Sequence, residues 1–337
     1  MNDDRPQYSF ARVAAGVALA LALASCAGPV TQNGVSPNAG VGPQFANAGG
    51  VLVAMPEFQN SAFPYRGQIP ASGDNPSAKP FLNVADNGRY GHQSPRGGVY
   101  WEDGTYNDRH VLLAASQSFD SRNPGDLVIF FHGNEATLTR DVVERQQAPR
   151  QMADSGLNGV FIAPQMAVDA LDSSAGRFWQ PGALAAFLDE ADSKLAALYP
   201  NAPRGAFRRM PVILVAYSGG YLPVAFSLAH GGASDRIRGV VLLDALYGEQ
   251  DKFADWVERS HDRAFFVSAY SKSSHEQNEA LRARLTRSGI NVQEGMPSSL
   301  GPGVVAFIDA GDVDHNGFVN SAWTINPLRD VLARVAQ

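Results

Sequence analysis

The chain has 337 residues, 45% hydrophobic and 18% charged, with 27 Lys+Arg against 33 Asp+Glu for a formal charge of -6. An acidic balance argues against a nucleic-acid binder, which needs a basic surface, and 9% aromatic content argues against wholesale disorder. A single cysteine excludes an intramolecular disulfide and any Cys-based metal cluster.

At the N-terminus, Arg5 and Arg12 flank the start of an uncharged run, 13–24, of Ala, Val, Leu and one Gly. Such a run is too short for a spanning helix, which takes about 20 residues, but fits the apolar region of an export signal. Asp3 and Asp4 dilute the positive flank. The run ends Leu23-Ala24-Ser25-Cys26, which resembles the lipobox of bacterial lipoproteins. The resemblance implies a signal peptide over 1–25, diacylation of the Cys26 thiol, and attachment to the cell envelope through that lipid. Ala27 after the cysteine resembles the outer-membrane sorting pattern, with the protein facing the periplasm or the surface. Residues 27–50 carry no charge and include six Gly and three Pro, so they cannot bury enough apolar area to offset their ordering entropy. Residues 26–90 are therefore expected to be a flexible tether and a poorly defined lead-in, although 51–55 has the character of a strand.

Beyond residue 96 the pattern alternates. Residues 99–102 and 110–116 are expected to be two short strands forming a hairpin. Residues 127–131, Leu-Val-Ile-Phe-Phe, form a continuous apolar run, as in a strand covered on both faces. A polar helix is expected over 135–155, then a strand at 159–163 and a helix at 182–198 stopped by Pro200. The series continues with strands at 211–216, 239–243, 264–269 and 304–308 and helices at 220–230 and 274–288. Strands alternating with helices imply a mostly parallel sheet, with chemistry beyond the carboxyl ends of its strands.

Those strand ends carry the reactive residues. Ala216-Tyr217-Ser218-Gly219-Gly220 joins a strand to a helix, with the small residues that a sharp nucleophile turn needs on either side of Ser218. The helix behind it directs its positive dipole end at Ser218, and Pro223 is tolerable in its first turn. His132-Gly133-Asn134 follows the 127–131 strand, Asp244 ends the 239–243 strand, and His315 lies in the loop after the last strand. In these motifs and their order the chain, from about 97 to 325, resembles the α/β-hydrolase superfamily of serine esterases and lipases. The resemblance implies a mostly parallel sheet flanked by helices on both faces, with the domain placed at 91–337. It also implies Ser218 as nucleophile, His315 as general base and Asp244 as the acid orienting it, with the backbone N–H groups of Asn134 and Gly219 as oxyanion hole. His132 would brace the loop rather than react.

The acid is the open position. The commoner family site follows the next strand, where 270–276 holds no aspartate and only Glu276, at a helix start. Asp309, Asp312 and Asp314 are further candidates. The spacing Asp312-x-Asp314-x-Asn316-Gly317 also matches the first half of a calcium loop, but Trp323 stands where the bidentate Glu belongs. No metal or cofactor is therefore expected, and no nucleotide-binding Gly-rich fingerprint is present. The insertion at 165–181 is expected to overlie the nucleophile. The function expected is cleavage of a carboxylic ester in a small-molecule or acyl substrate. The alternatives are an amidase or thioesterase, or a non-catalytic envelope lipoprotein that uses the cleft for binding.

Overall fold

Short uninterrupted apolar runs of β-branched and aromatic residues suit strands buried on both faces. In the computed structural model, which describes residues 45–335 apart from 49 and 73–75, ten strands form one sheet. They are β1 (Ala46–Ala48), β2 (Val51–Ala54), β3 (Val111–Ser116), β4 (Asp126–Phe131), β5 (Gly159–Pro164), β6 (Val212–Tyr217), β7 (Ile237–Leu243), β8 (Phe265–Tyr270), β9 (Val292–Glu294) and β10 (Val305–Asp309). Their order across the sheet is β1-β2-β3-β5-β4-β6-β7-β8-β10-β9. The first four are joined antiparallel, and every pair from β5–β4 onward is parallel.

Alternation along each strand feeds two cores. Leu127, Ile129 and Phe131 of β4 pack on one face and Val128 and Phe130 on the other, all fully buried. The helices of six residues or more are α1 (Leu138–Arg145, π-type), α2 (Ala148–Ala153), α3 (Ala183–Leu198), α4 (Tyr221–His230), α5 (Gln250–Ser260), α6 (His275–Arg287) and α7 (Pro327–Leu332). α3, α4, α5 and α6 contribute Leu184, Val224, Phe253 and Leu281 to the first core. α1, α2 and α7 contribute Leu138, Met152 and Leu328 to the second. The architecture is thus a mostly parallel sheet with helices on both faces. From β4 the chain runs to β5 on one side and then returns to β6 on the other. The crevice at that switch, beyond the carboxyl ends of β4 and β6, is where such sheets bind ligands.

Several expectations need correction. Residues 99–102 and 110–116 form no hairpin: Val99–Trp101 pairs with Arg89–Gln93 in a separate three-stranded sheet. A short helical turn, Glu102–Thr105, then diverts the chain, and β3 pairs instead with β2 and β5. The single helix expected over 135–155 is two, because Gln147 adopts a left-handed conformation (φ 51°) between α1 and α2. The lead-in is also more ordered than its composition suggests. β2 completes the antiparallel edge against β3, and Phe58, Phe63, Phe81 and Tyr106 are fully buried in the first core. The described residues of the compact unit that holds the sheet begin at 45. The expected signal peptide, Cys26 and most of the expected tether lie outside the described residues. Among the described residues, no helix is long and apolar enough to cross a membrane.

Candidate functional site

The β6 strand stops abruptly at Tyr217, and the next residue, Ser218, sits in the left-handed region (φ 52°) before the chain enters α4. A side chain rarely adopts that conformation unless surrounding structure enforces it. The enforcement is steric. A Cβ on Gly220 would lie 2.2 Å from the Phe131 carbonyl oxygen, and one on Gly133 would lie 2.8 Å from the Ser218 Cβ. Glycine at both positions lets the ends of β4 and β6 pack against each other with the serine raised between them.

Ser218 Oγ is 2.8 Å from His315 Nε2, and His315 Nδ1 is 2.6 Å from Asp244 Oδ2. The structure therefore brings together, in one hydrogen-bonded line, three residues separated by up to 97 positions. His315 starts a short turn, His315–Gly317, in the loop after β10. Tyr217 holds that loop: its hydroxyl donates to the His315 carbonyl (2.8 Å) and its ring stacks on the imidazole, centroids 5.3 Å apart. Burial pushes the Tyr217 phenol up to about 12, so it stays protonated and able to donate.

Asp244 follows β7, is fully buried and is also left-handed (φ 46°). Burial alone would raise its carboxyl. The hydrogen bonds it accepts from His315, the Ser274 hydroxyl (2.6 Å), the Ser271 N–H (3.1 Å) and the Ser273 hydroxyl (2.8 Å) overcome that and hold it well below the ordinary carboxylate range. A fifth donor, the Ser271 hydroxyl, lies 2.8 Å from Oδ2. A buried carboxylate this well satisfied remains an anion. The loop after β8, where the sequence offered no aspartate, thus supplies three serines that grip the aspartate of the neighbouring strand. Glu276 is not part of this cluster; it is exposed in the first turn of α6.

Asn134 and Gly219 also converge. A Cβ on Gly219 would fall 2.3 Å from Asn134 Oδ1 and 2.6 Å from Ser173 Oγ. Ser173 belongs to the insertion after β5 and donates to Asn134 Oδ1 at 3.0 Å, so this insertion reaches the nucleophile turn. Among the described residues the Asn134 N–H has no partner within the protein. His132 is buried and burial lowers its pKa, keeping it neutral. Its Nδ1 donates to the Gly133 carbonyl (2.7 Å) and its Nε2 accepts from the Met166 N–H (3.0 Å), so it braces the loop.

The calcium-like spacing lies in the loop after β10. Asp312 is ion-paired with Lys272 and Trp323 Nε1 donates to Asp330. Among the described residues no three His, Cys, Asp or Glu side chains are grouped to hold a metal. Sequence reasoning missed Tyr217, Tyr247 and the three serines. Tyr247 places its hydroxyl 3.2 Å from His315 Nδ1 and 2.7 Å from Ser273 Oγ. Only the serine-rich run 271–274 left a trace in the sequence, as a loop lacking its acid.

No family model matches the chain, and no curated protein matches it. Solved structures do resemble it, at low identity. A feruloyl esterase module from Clostridium thermocellum is 13% identical with a TM-score of 0.44, covering 81% of this chain and 95% of that one. An S-formylglutathione hydrolase from Agrobacterium tumefaciens is 11% identical with a TM-score of 0.41, covering 82% and 93%. A fluorophosphonate-binding serine hydrolase from Staphylococcus aureus is 14% identical with a TM-score of 0.39, covering 68% and 92%.

Proposed function

We propose that the protein is a serine hydrolase that cleaves carboxylic esters. The observation that carries this reading is the line Ser218 Oγ–His315 Nε2 and His315 Nδ1–Asp244 Oδ2, at 2.8 and 2.6 Å. His315 Nε2 takes the Ser218 proton as Oγ attacks the acyl carbon, and the carbonyl electrons move onto oxygen. The N–H groups of Asn134 and Gly219 receive that oxyanion. Asp244 fixes the imidazole with its proton on Nδ1 and stabilises the imidazolium. Collapse returns the electrons, breaks the bond to the alkoxy oxygen, and His315 hands the proton to the departing alcohol. Water then repeats the sequence on the acyl-enzyme. The chemistry draws on this chain's own groups throughout.

Labelling with a fluorophosphonate tests the reading. The parent should label stoichiometrically and Ser218→Ala not at all, with ester turnover in the variant lower by about 10⁶. A folded parent that does not label returns the protein to the binding-only alternative. An amide or thioester turned over faster than the matched ester would move the assignment to an amidase or thioesterase.

We also propose that Cys26 is lipidated and tethers the enzyme to the envelope. Support comes from Leu23-Ala24-Ser25-Cys26 following a short apolar run. In a bacterial host competent for lipoprotein maturation, the parent should partition into detergent and Cys26→Ser should not. A parent protein in the aqueous phase defeats the proposal.

A further inference from the structure

Beside the nucleophile turn lies a cavity of about 360 Å³. Two of its wall residues tie it to the reacting groups: Ser173 donates to Asn134, and the Tyr247 hydroxyl sits 3.2 Å from His315 Nδ1. Part of its surface is apolar, with Trp179, Leu222 and Phe226. Its charges are unevenly matched. Of the two carboxylates, Asp172 is buried and accepts from the Tyr106 hydroxyl (2.8 Å) and the Ser174 hydroxyl (3.0 Å). Glu249 is taken by Lys252 (2.5 Å) and the Ser72 hydroxyl (2.7 Å). The one imidazole, His92, is buried; burial lowers its pKa, and its Nδ1 donates to the Phe81 carbonyl at 2.7 Å. Two cations remain, Lys79 and Arg96. Both are exposed, and neither side chain has an acidic partner among the described residues. Arg96 is near enough to favour ionisation of the Tyr247 phenol, against the burial that raises it.

Resting on the hydrolase reading above, we propose that the ester substrate carries a free carboxylate on an apolar body, and that Arg96 and Lys79 bind it in this cavity. Half-esters of dicarboxylic acids are the class that fits. A guanidinium presents a planar fork that matches a carboxylate, and an ammonium beside it adds charge without demanding geometry. The apolar wall takes the chain between the two carbonyl carbons, while the ester end reaches Ser218. Lys252 offsets the charge of Glu249, whereas Asp172, held only by neutral hydroxyls, is a negative charge that Arg96 and Lys79 together must outweigh.

The test compares the nitrophenyl half-ester of glutaric acid with the nitrophenyl ester of pentanoic acid, a neutral analogue of similar length. After correction for their uncatalysed rates, the parent should prefer the anionic ester by about tenfold or more in kcat/KM. The double variant Arg96→Gln, Lys79→Gln should lose that preference through a raised KM for the anionic ester, leaving the neutral ester unchanged. Sodium chloride at about 0.5 M should shrink the parent's preference in the same way, since it screens exposed charges beyond a few ångströms. A parent that labels with fluorophosphonate and hydrolyses both esters equally overturns the substrate class alone. So does a double variant that slows both esters alike. A parent that neither labels nor hydrolyses either ester overturns the hydrolase reading and this inference with it.

Discussion

Asp244 carries most of the electrostatic load in the site, and its effects separate into chemistry and stability. Changing it to Asn leaves a side chain of the same shape but favours the wrong imidazole tautomer, and in a comparable triad this costs about 10⁴ in kcat. Glu276→Gln, on an exposed helix start, should change turnover by less than about twofold and stability by a few tenths of a kcal/mol. Steady-state rates of the two variants, with circular dichroism to verify folding, check this pair. If the Glu276 variant is the inactive one, the acid has been misassigned. The carboxyl is depressed in the folded state, so its stabilising contribution is present above the unfolded carboxylate value, near 3.8, and is lost as pH falls towards its folded value. Denaturation midpoints measured from pH 6 down to pH 3 should therefore fall less steeply in Asp244→Asn than in the parent.

At the scale of elements, the strand-to-helix turn and the first parallel strand each make a distinct prediction. Gly219→Ala would press on the Asn134 and Ser173 side chains, which can yield, whereas Gly220→Ala would press on the Phe131 backbone oxygen, which cannot. The first should fold and lose about 10²–10³ in kcat through a disturbed oxyanion site; the second should lose about 1–3 kcal/mol of stability by overpacking. Equal melting temperatures for the two would contradict the packing described. β4 opens with a buried carboxylate, Asp126, which burial pushes up to about 6 against the pull of Arg238, whose Nε is 3.0 Å away. Below the unfolded value of 3.8 the group is protonated in both states; as pH rises through 6 the folded state must carry a buried charge, and stability is lost. Asp126→Asn should consequently stabilise the protein at pH 8, by at most about 3 kcal/mol, and have little effect at pH 4. Urea titrations at the two pH values decide it; a shift of equal size at both would remove the carboxyl as cause. The elements themselves were readable in proportion to their periodicity. β4, β6, β7 and β8 are dense apolar runs, and a run of that kind has few alternatives to a covered strand. β9 and α7 are too short, at three and six residues, to show a period, whereas α5 carries Phe253, Trp256 and Val257 at a helical spacing that the expectations above do not include.

For the whole molecule, the described residues between 50 and 106 are the part that composition misrepresented. Phe58, Phe63 and Phe81 are isolated among Pro, Gly and Ser, so no period marks them, yet each is fully buried and Phe81 packs edge-on to Tyr106, centroids 4.9 Å apart. Tertiary burial, not local propensity, orders this region. Phe81→Ala should cost about 3–5 kcal/mol, and a chain starting at residue 91 should fail to unfold cooperatively because β3 would lose β2 and the first core its aromatic cover. Calorimetry on the shortened chain is decisive: a sharp transition near the parent's would show that residues 46–90 are dispensable. The candidate site was more legible than this region, since Ser218, Asp244 and His315 all stand where strands end. What stayed hidden were hydroxyl donors such as Ser271, Ser273, Ser274 and Tyr247, whose role depends on which loop lies next to which and leaves no spacing in the chain.

Two side chains at the ends of neighbouring strands, Ser218 and Asp244, are held at φ 52° and 46°. That conformation costs an L-residue about 1–2 kcal/mol and costs glycine nothing. Ser218→Gly should accordingly be more stable than Ser218→Ala, which keeps the Cβ and forfeits the same hydroxyl, and thermal melts of the two isolate the backbone contribution. The fold is thus working against itself at these positions, and on the proposed function turnover is what rewards keeping them. A descendant released from selection for hydrolysis would gain stability by accepting glycine at 218. The residue found there in a divergent copy is therefore a readable record of whether that copy still performs chemistry.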